Sequence, residues 1–222
     1  MNANPGTLVS LADCLIGYGP WLAPIEAGEV SHLPGHNSSY TRDVLLAYGD
    51  RLDDLLEAET VLHWDLLAHG HRLFLEPRAT LAHTNFALPA IWTRVQLQGG
   101  RMFGATRAHA WPWSKRALFV IASPLIPLVR LRRIWPSALR VSRRRSGGSA
   151  AQRLPRWFLL RLLPVLVWGL LMDAVGQMLG YAIGAGRAAR RVADYEFDRM
   201  RYVTQSDRRA LDGRARDEVN TV

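Results

Sequence analysis

The chain of 222 residues is long enough for one ordinary domain with its own core, or for a small domain with appendages. Its single cysteine, Cys14, excludes an internal disulfide and a Cys/His zinc framework. The formal net charge of +9 comes mainly from the second half of the chain, which favours an anionic partner for that half, either lipid headgroups or nucleic acid.

The first hundred residues alternate between short helical and short extended patterns. Helical spacing of apolar residues predicts helices over 7–18, 40–48 and 52–68, and alternation predicts strands over 30–33, 71–75 and 79–83. Residues 89–108 are predicted to be helical, with Gly99 and Gly100 as an interruption.

The composition changes after residue 110. The stretch 117–129 is almost wholly apolar but contains two prolines and is about thirteen residues long, whereas a straight transmembrane span needs roughly twenty. Residues 130–156 form a basic linker without any acidic residue, and 157–183 form a second, longer apolar stretch. Residues 187–222 are polar and favour helix.

Basic residues flank both apolar stretches. Because Arg-rich segments stay on the cytoplasmic side, a single crossing by either stretch would translocate a heavily basic segment. We therefore predict re-entrant or in-plane insertion, with membrane lipids as partners, at the cytoplasmic face of a bacterial-type cell membrane.

A stripe of small and polar residues lies along one face of the second apolar stretch, with steps of three and four residues between its members except for the adjacent pair Gly176 and Gln177. Its members are Gly169, Asp173, Gly176, Gln177, Gly180 and Gly184. In lipid, small residues let helices approach closely, and a carboxylate should face a partner. The stripe is predicted to pack against residues 117–129 or a second copy of the chain; the alternative is a buried helix with incidental glycines.

An ordered set of motifs occupies residues 33–83. It consists of Leu33-Pro34-Gly35-His36-Asn37, then Ala58-Glu59, then Gly70-His71-Arg72, Pro77 and His83. Their order and spacing resemble the acceptor half of the catalytic domain in family 2 glycosyltransferases, over roughly residues 3–107. The resemblance implies an α/β fold: a partial GT-A-like half domain over 1–110, then hydrophobic membrane-associated helices over 111–186 and a polar helical tail over 187–222.

Glu59 aligns with the catalytic aspartate of that family. It lies three positions from Leu56 and from Leu62, near the apolar face of its predicted helix, which suits a general base. The resemblance implies that it takes the proton of the acceptor hydroxyl while that oxygen attacks the anomeric carbon with inversion. Glu in place of Asp, and Ala58 in place of the usual Glu, depart from the family pattern. The alternative is a solvated glutamate on the helix surface.

The resemblance also implies substrate contacts. Gly35, His36 and Asn37 match a Gly-x-Asn turn under the sugar site, although an Asx-type turn would use the same residues. A looser match is a cluster that contacts the leaving diphosphate, for which an amphipathic helix with an interfacial tryptophan is the alternative. That cluster consists of Trp92, Gln96 and Arg101.

His83 follows a Pro-x-Ala strand, where a histidine in related enzymes can ligate the divalent metal on the diphosphate. An imidazole suits Mn²⁺ better than Mg²⁺, which prefers oxygen ligands. The complete enzyme is expected to need one of these metals, yet the sequence contains no Asp-x-Asp motif, so a purely structural His83 is the alternative. We expect the nucleotide-binding half to lie outside this chain, through a truncated frame, a late start or a split gene.

Two functions are therefore considered. The first is a glycosyltransferase, or a fragment of one, that moves a sugar from a nucleotide-diphospho sugar to a carbohydrate or lipid-linked acceptor at the membrane. The second is a non-catalytic membrane or scaffold protein that retains a truncated version of the same fold. Nucleic acid is not an expected partner, because no nucleic-acid-binding module is recognisable around the arginines.

Overall fold

The computed structural model describes residues 1–143 and 156–219, and about 70% of the chain is helical. The predicted α/β half domain is not confirmed, since the only sheet in the described ranges has two short strands, β1 (Gly28–Val30) and β2 (Leu73–Leu75). They pair antiparallel, with Glu29 opposite Phe74. The third predicted strand, over 79–83, makes a single bridge from His83 to Asn2. These runs are too short to build the layered sheet of an α/β domain.

Five helices precede residue 110. They are α1 (Leu8–Tyr18), α2 (Arg42–Leu46), α3 (Leu52–Glu57), α4 (Glu59–Ala68) and α5 (Pro89–Arg107). The single helix predicted over 52–68 is wrong, because Ala58 adopts φ −136° and ψ 67°, outside the helical region, and separates α3 from α4. The predicted interruption at Gly99 and Gly100 is also wrong, because α5 runs through both glycines.

The remaining described helices are α6 (Trp113–Ala122), α7 (Ile126–Arg143), α8 (Arg156–Ile183), α9 (Ala188–Phe197) and α10 (Gln205–Val219). Pro124 lies in a 3-10 turn, Ser123–Leu125, that joins α6 to α7. The basic segment predicted as a linker over 130–156 is instead helical as far as Arg143, and its remainder, 144–155, lies outside the described residues.

The helix α8 is the centre of the main core, and α1, α5, α6 and α7 pack around it. Buried side chains of this core come from four helices and the segment before α5, and Tyr195 and Tyr202 cover it from the tail. The largest of them include Leu15, Phe86, Trp92, Ile134 and Leu166. A smaller core beneath α3 and α4 is formed by Leu55, Leu62, Leu66 and Leu73.

The glycine face of α8 packs against α5 of the same chain. A methyl group on Gly176 or Gly180 would lie less than 3.0 Å from backbone atoms of α5, and one on Gly100 would meet the backbone of Asp173 equally closely. A methyl group on Gly169 would likewise lie less than 3.0 Å from the ring of Trp92. The partner of this face is thus α5, rather than residues 117–129 or the second copy that the sequence predicted, because glycines on both helices allow their backbones to touch.

One described helix is long and apolar enough to cross a membrane. It is the α8 stretch Trp157–Ile183. Its most apolar 18 residues have a mean hydropathy of 1.9, and 39% of them are buried within the protein. By the same criteria, no other helix in the described ranges qualifies.

Candidate functional site

Glu59 is the first residue of α4, and its half-buried carboxylate lies directly against Gly35. Gly35 begins the 3-10 turn Gly35–Asn37, and a methyl group there would lie less than 3.0 Å from all three atoms of the Glu59 carboxyl group. The break at Ala58 turns α4 so that its first side chain reaches this turn. The two residues that the sequence analysis placed in one site are therefore adjacent.

Three aromatic rings stand beside this turn. The hydroxyl of Tyr18, the last residue of α1, lies 3.0 Å from Nδ1 of His36. The rings of His36 and His83 meet edge to face with centroids 5.2 Å apart, and the Tyr18 ring lies 4.7 Å from that of His83. His83 Nδ1 is 3.1 Å from Oδ1 of Asn85, an oxygen that only accepts, so this nitrogen carries the proton.

Burial keeps these groups uncharged at neutral pH. It lowers the pKa of His36, partly opposed by the nearby Glu59 carboxylate, and lowers the pKa of His83 to about 4 with help from Arg199. Burial also raises the pKa of Tyr18 well above its usual value. Tyr18 therefore donates its hydroxyl hydrogen to Nδ1 of a neutral His36.

A second polar cluster is centred on Asp13 of α1. Its Oδ1 accepts hydrogen bonds from Trp92 Nε1 (2.9 Å) and Gln96 Nε2 (3.1 Å), and its Oδ2 accepts one from the backbone N–H of Phe86 (3.0 Å). Trp92 is buried, with 1% of its surface exposed, and so is not an interfacial tryptophan. The structure brings Trp92 and Gln96 together, with their donors directed to Asp13 instead of a diphosphate.

Arg101 lies apart from this cluster. It is on the half of α5 that contacts the end of α8, and its Nε donates to the carbonyl of Gly184 at 2.9 Å. The third member of the predicted diphosphate cluster thus holds the C-terminus of α8.

Sequence reasoning missed Asp13, Tyr18 and Arg199. Asp13 is the only acidic residue in α1, which is a recognisable sign of a buried polar role, and burial raises its pKa to about 6 despite three hydrogen bonds. Arg199 donates to the carbonyl of Thr84 at 2.8 Å, pairs with Glu196 and stacks over the Phe86 ring at 4.6 Å. Nothing in the local sequence of the tail indicates that Arg199 reaches this site.

Two cavities meet at the aromatic cluster, and Tyr18, His36 and His83 line both. The first, of about 280 Å³, is mainly apolar, and its other walls include Leu11, Cys14, Trp21, Leu22, Ile25 and Leu81. The second, of about 220 Å³, also has charged and amide side chains in its walls, namely Asp13, Gln96, Arg130, Asp173, Glu196 and Arg199. Asn37 lines the apolar cavity.

A divalent metal has no complete ligand set here. Among residues 1–143 and 156–219, no group of three or more His, Cys, Asp or Glu side chains is arranged to hold a metal ion. The ring of His36 is the only other imidazole in contact with His83 among the described residues, and Nδ1 of His83 is hydrogen-bonded to Asn85. The residues present therefore do not fit a metal site, and no chemistry is assigned to one.

Comparisons of the chain with protein-family models, with curated proteins and with solved structures find no match.

Proposed function

We propose that this chain forms the acceptor side of an inverting, membrane-associated glycosyltransferase, with Glu59 as general base. The observation that carries the proposal is the contact between the Glu59 carboxylate and Gly35, because the next two residues of that turn, His36 and Asn37, line the apolar cavity. A general base must lie within hydrogen-bond reach of the proton that it takes, so the acceptor hydroxyl is proposed to bind at this turn.

In the proposed step, Glu59 takes the proton of the acceptor hydroxyl while that oxygen forms a bond to the anomeric carbon. The bond from that carbon to the diphosphate oxygen breaks, and its electron pair leaves on the nucleoside diphosphate. Tyr18 fixes the neutral His36 ring beside the base. The side-chain amide of Asn37 donates a hydrogen bond from Nδ2 to the carbonyl of Ala79 at 2.8 Å. The side-chain oxygen of Asn37 is then proposed to accept a hydrogen bond from a sugar hydroxyl.

The apolar cavity favours a lipid-linked acceptor over a free carbohydrate. Its walls are mostly hydrocarbon, while Tyr18, His36, Asn37 and His83 supply the polar groups. A binding site of this kind takes the apolar part of a ligand in its body and orients the reactive group with a few polar side chains. The reaction is proposed to take place at the cytoplasmic face of the membrane.

The donor is proposed to be a nucleotide-diphospho sugar. The sequence has no Asp-x-Asp, and the described residues offer no metal ligand set. The proposal therefore assigns the acceptor side alone to this chain, and it assigns the diphosphate and its Mn²⁺ or Mg²⁺ to residues of a separate segment.

The second candidate is a non-catalytic membrane or scaffold protein. It is favoured by the hydrogen bonds that commit Trp92 and Gln96 to Asp13, because groups that already have a partner inside the protein are poor ligands for a diphosphate.

The deciding experiment measures sugar transfer from a panel of nucleotide sugars to polyprenyl phosphate in native membranes, which hold the full chain together with the separate segment assigned to the donor. Glu59→Gln should reduce transfer by about 100-fold or more, the usual contribution of a general base, at unchanged thermal stability. Glu57→Gln is the matched control, because Glu57 is exposed at the end of α3. Unchanged turnover in Glu59→Gln would overturn the catalytic role, and absence of transfer with every donor would favour the scaffold.

A further inference from the structure

The exposed side of α8 is a continuous apolar stripe. Its members follow one another at steps of three or four residues and are Trp157, Leu160, Pro164, Trp168, Leu171 and Val175. Leu160 is 72% exposed and Trp168 is 48% exposed, whereas Leu162, Leu166 and Leu170 on the opposite side are almost fully buried. A stripe that continues from Trp157 to Val175 exceeds the scattered apolar residues of an ordinary soluble surface.

A second exposed stripe lies on the elements next to α8. Leu118 and Ile121 of α6, Leu125 of the 3-10 turn and Leu128 of α7 recur at steps of three and four and are 61–77% exposed. Both α6 and the 3-10 turn pack against α8, so the two stripes belong to neighbouring elements. Pro124 bends the chain between α6 and α7.

The other side of α8 is covered by a polar helix. α5 lies along the glycine face from Gly169 to Gly180, and it in turn contacts α3, α4 and α9. Arg94 of α5 is exposed. If α8 crossed a bilayer, α5 would have to enter the hydrocarbon with it, and an exposed arginine at that depth is costly. This layering favours a helix that lies along the membrane surface.

The charge around the two stripes suits an anionic surface. No acidic residue occurs between Glu76 and Asp173. Arg132 and Arg133 are exposed on α7 one turn after Leu128 and Val129, so the apolar face passes directly into a basic one. Arg161 lies over the Trp157 ring at 4.6 Å on the stripe of α8. Arginine beside tryptophan is typical of headgroup depth.

We propose that α6, the start of α7 and the exposed stripe of α8 form a monotopic docking face for an anionic lipid bilayer, with α8 in the plane of the membrane. The inference deepens the membrane association named in the proposed function. It does not depend on the role of Glu59, because its tests read membrane binding and topology instead of sugar transfer.

The binding test is flotation of the full chain with vesicles of phosphatidylcholine, with or without phosphatidylglycerol. Ile121→Asp and Leu128→Asp should each lower the vesicle partition coefficient by about tenfold or more. Phe74→Asp is the control, because Phe74 is 59% exposed on β2, away from the stripes, and should leave binding unchanged. Binding should strengthen with phosphatidylglycerol and weaken in high salt. Equal vesicle binding by all three variants would overturn the proposal. So would a wild-type chain that does not bind vesicles and instead forms a dimer that Ile121→Asp or Leu128→Asp dissociates.

The topology test uses cysteine labelling on protein bound to preformed vesicles. Cys14, which is buried, is first replaced by serine, and single cysteines are then placed before and after α8 with Ser149→Cys and Arg187→Cys. A membrane-impermeant maleimide added outside should label both positions. Protection of one position until detergent is added would mean that α8 crosses the bilayer, and the in-plane arrangement would be wrong.

Discussion

Gly35 and Glu59 fit together so closely that position 35 has no space for a methyl group. A Cβ atom there would approach the carboxyl group to less than 3.0 Å. The obstacle is the end of a flexible side chain, and the backbone of Gly35 is not in the left-handed region. The contact therefore fixes the position of the carboxylate more than it stabilises the fold.

Gly35→Ala should accordingly displace the Glu59 carboxylate while changing the free energy of unfolding by no more than about 1 kcal/mol. If Glu59 is the base, a shift of about 1 Å should reduce sugar transfer by about 100-fold. Gly28→Ala is the control, because nothing lies near a Cβ at that position in β1. Full transfer by Gly35→Ala, with the methyl group accommodated, would argue against a positioned base.

Two adjacent glycines of α5 should respond in opposite directions. A methyl group on Gly99 meets nothing within 4 Å, so Gly99→Ala should raise the free energy of unfolding by up to about 1 kcal/mol through helix propensity. A methyl group on Gly100 would strike the backbone of Asp173, so Gly100→Ala should lower it by about 1–3 kcal/mol. Denaturant titration of both variants in the same detergent checks the pair, and equal effects would contradict the α5–α8 packing.

The local sequence was sufficient to predict α1 and α8, because Thr7 caps the start of α1 and Gly19 follows its end, whereas α8 is a long and nearly uninterrupted apolar stretch. The division between α3 and α4 was hidden by the helical spacing of the leucines. Leu55 before the break and Leu62 and Leu66 after it cover one small core, so the leucine pattern continues across Ala58.

The partners of the elements could not be predicted in the same way. Glycines along α8 indicate that some backbone approaches closely, but they carry no information on which one, and the glycines of α5 look like a helix interruption when α5 is considered alone. The Asp13 cluster joins residues that are far apart in sequence, and a lone carboxylate in an apolar helix does not identify its donors.

His63 should make the protein sensitive to acid. It is fully buried, its Nδ1 accepts the backbone N–H of Leu33 at 3.3 Å, and its Nε2 lies 2.7 Å from the hydroxyl of Tyr40. Burial, with a smaller contribution from His32, lowers the pKa of His63 to about 4. Between that value and 6.5 the unfolded chain binds a proton that the folded chain does not. The free energy of unfolding therefore falls as pH falls through this window, by about 3 kcal/mol in total.

The variant His63→Asn should keep an acceptor for Leu33 but lose the titration, so its free energy of unfolding should vary less between pH 4 and 6.5. Asp13 has the opposite effect on the free energy of unfolding. Because its pKa is raised to about 6 in the folded chain, the folded chain holds a proton that the unfolded chain has lost between about pH 4 and 6, and the free energy of unfolding falls as pH rises through that range. Asp13→Asn should therefore steepen the acid loss. Denaturant titrations at several pH values measure both slopes, and a slope unaffected by His63→Asn would exclude this residue as the source.

The ion pair between Arg130 and Asp173 joins α7 to the middle of α8. Arg130 Nη1 lies 2.6 Å from Asp173 Oδ2, which also accepts a hydrogen bond from Gln177 at 2.8 Å, and Asp173 is 7% exposed. Arg130→Met would leave a buried carboxylate without its cation and should lower the free energy of unfolding by about 3–5 kcal/mol.

Removal of both charges should cost less than removal of one. In the double variant Arg130→Met with Asp173→Leu, no charge is left unpaired, so the free energy of unfolding should recover much of the loss caused by Arg130→Met alone. Arg132→Met is the control, since Arg132 is exposed on the same helix and should change stability by no more than about 0.5 kcal/mol. The single variant Asp173→Leu completes the cycle. If its effect and that of Arg130→Met simply add in the double variant, Arg130 and Asp173 are not coupled, and apolar contacts, chiefly those of Ile134, hold α7 to α8.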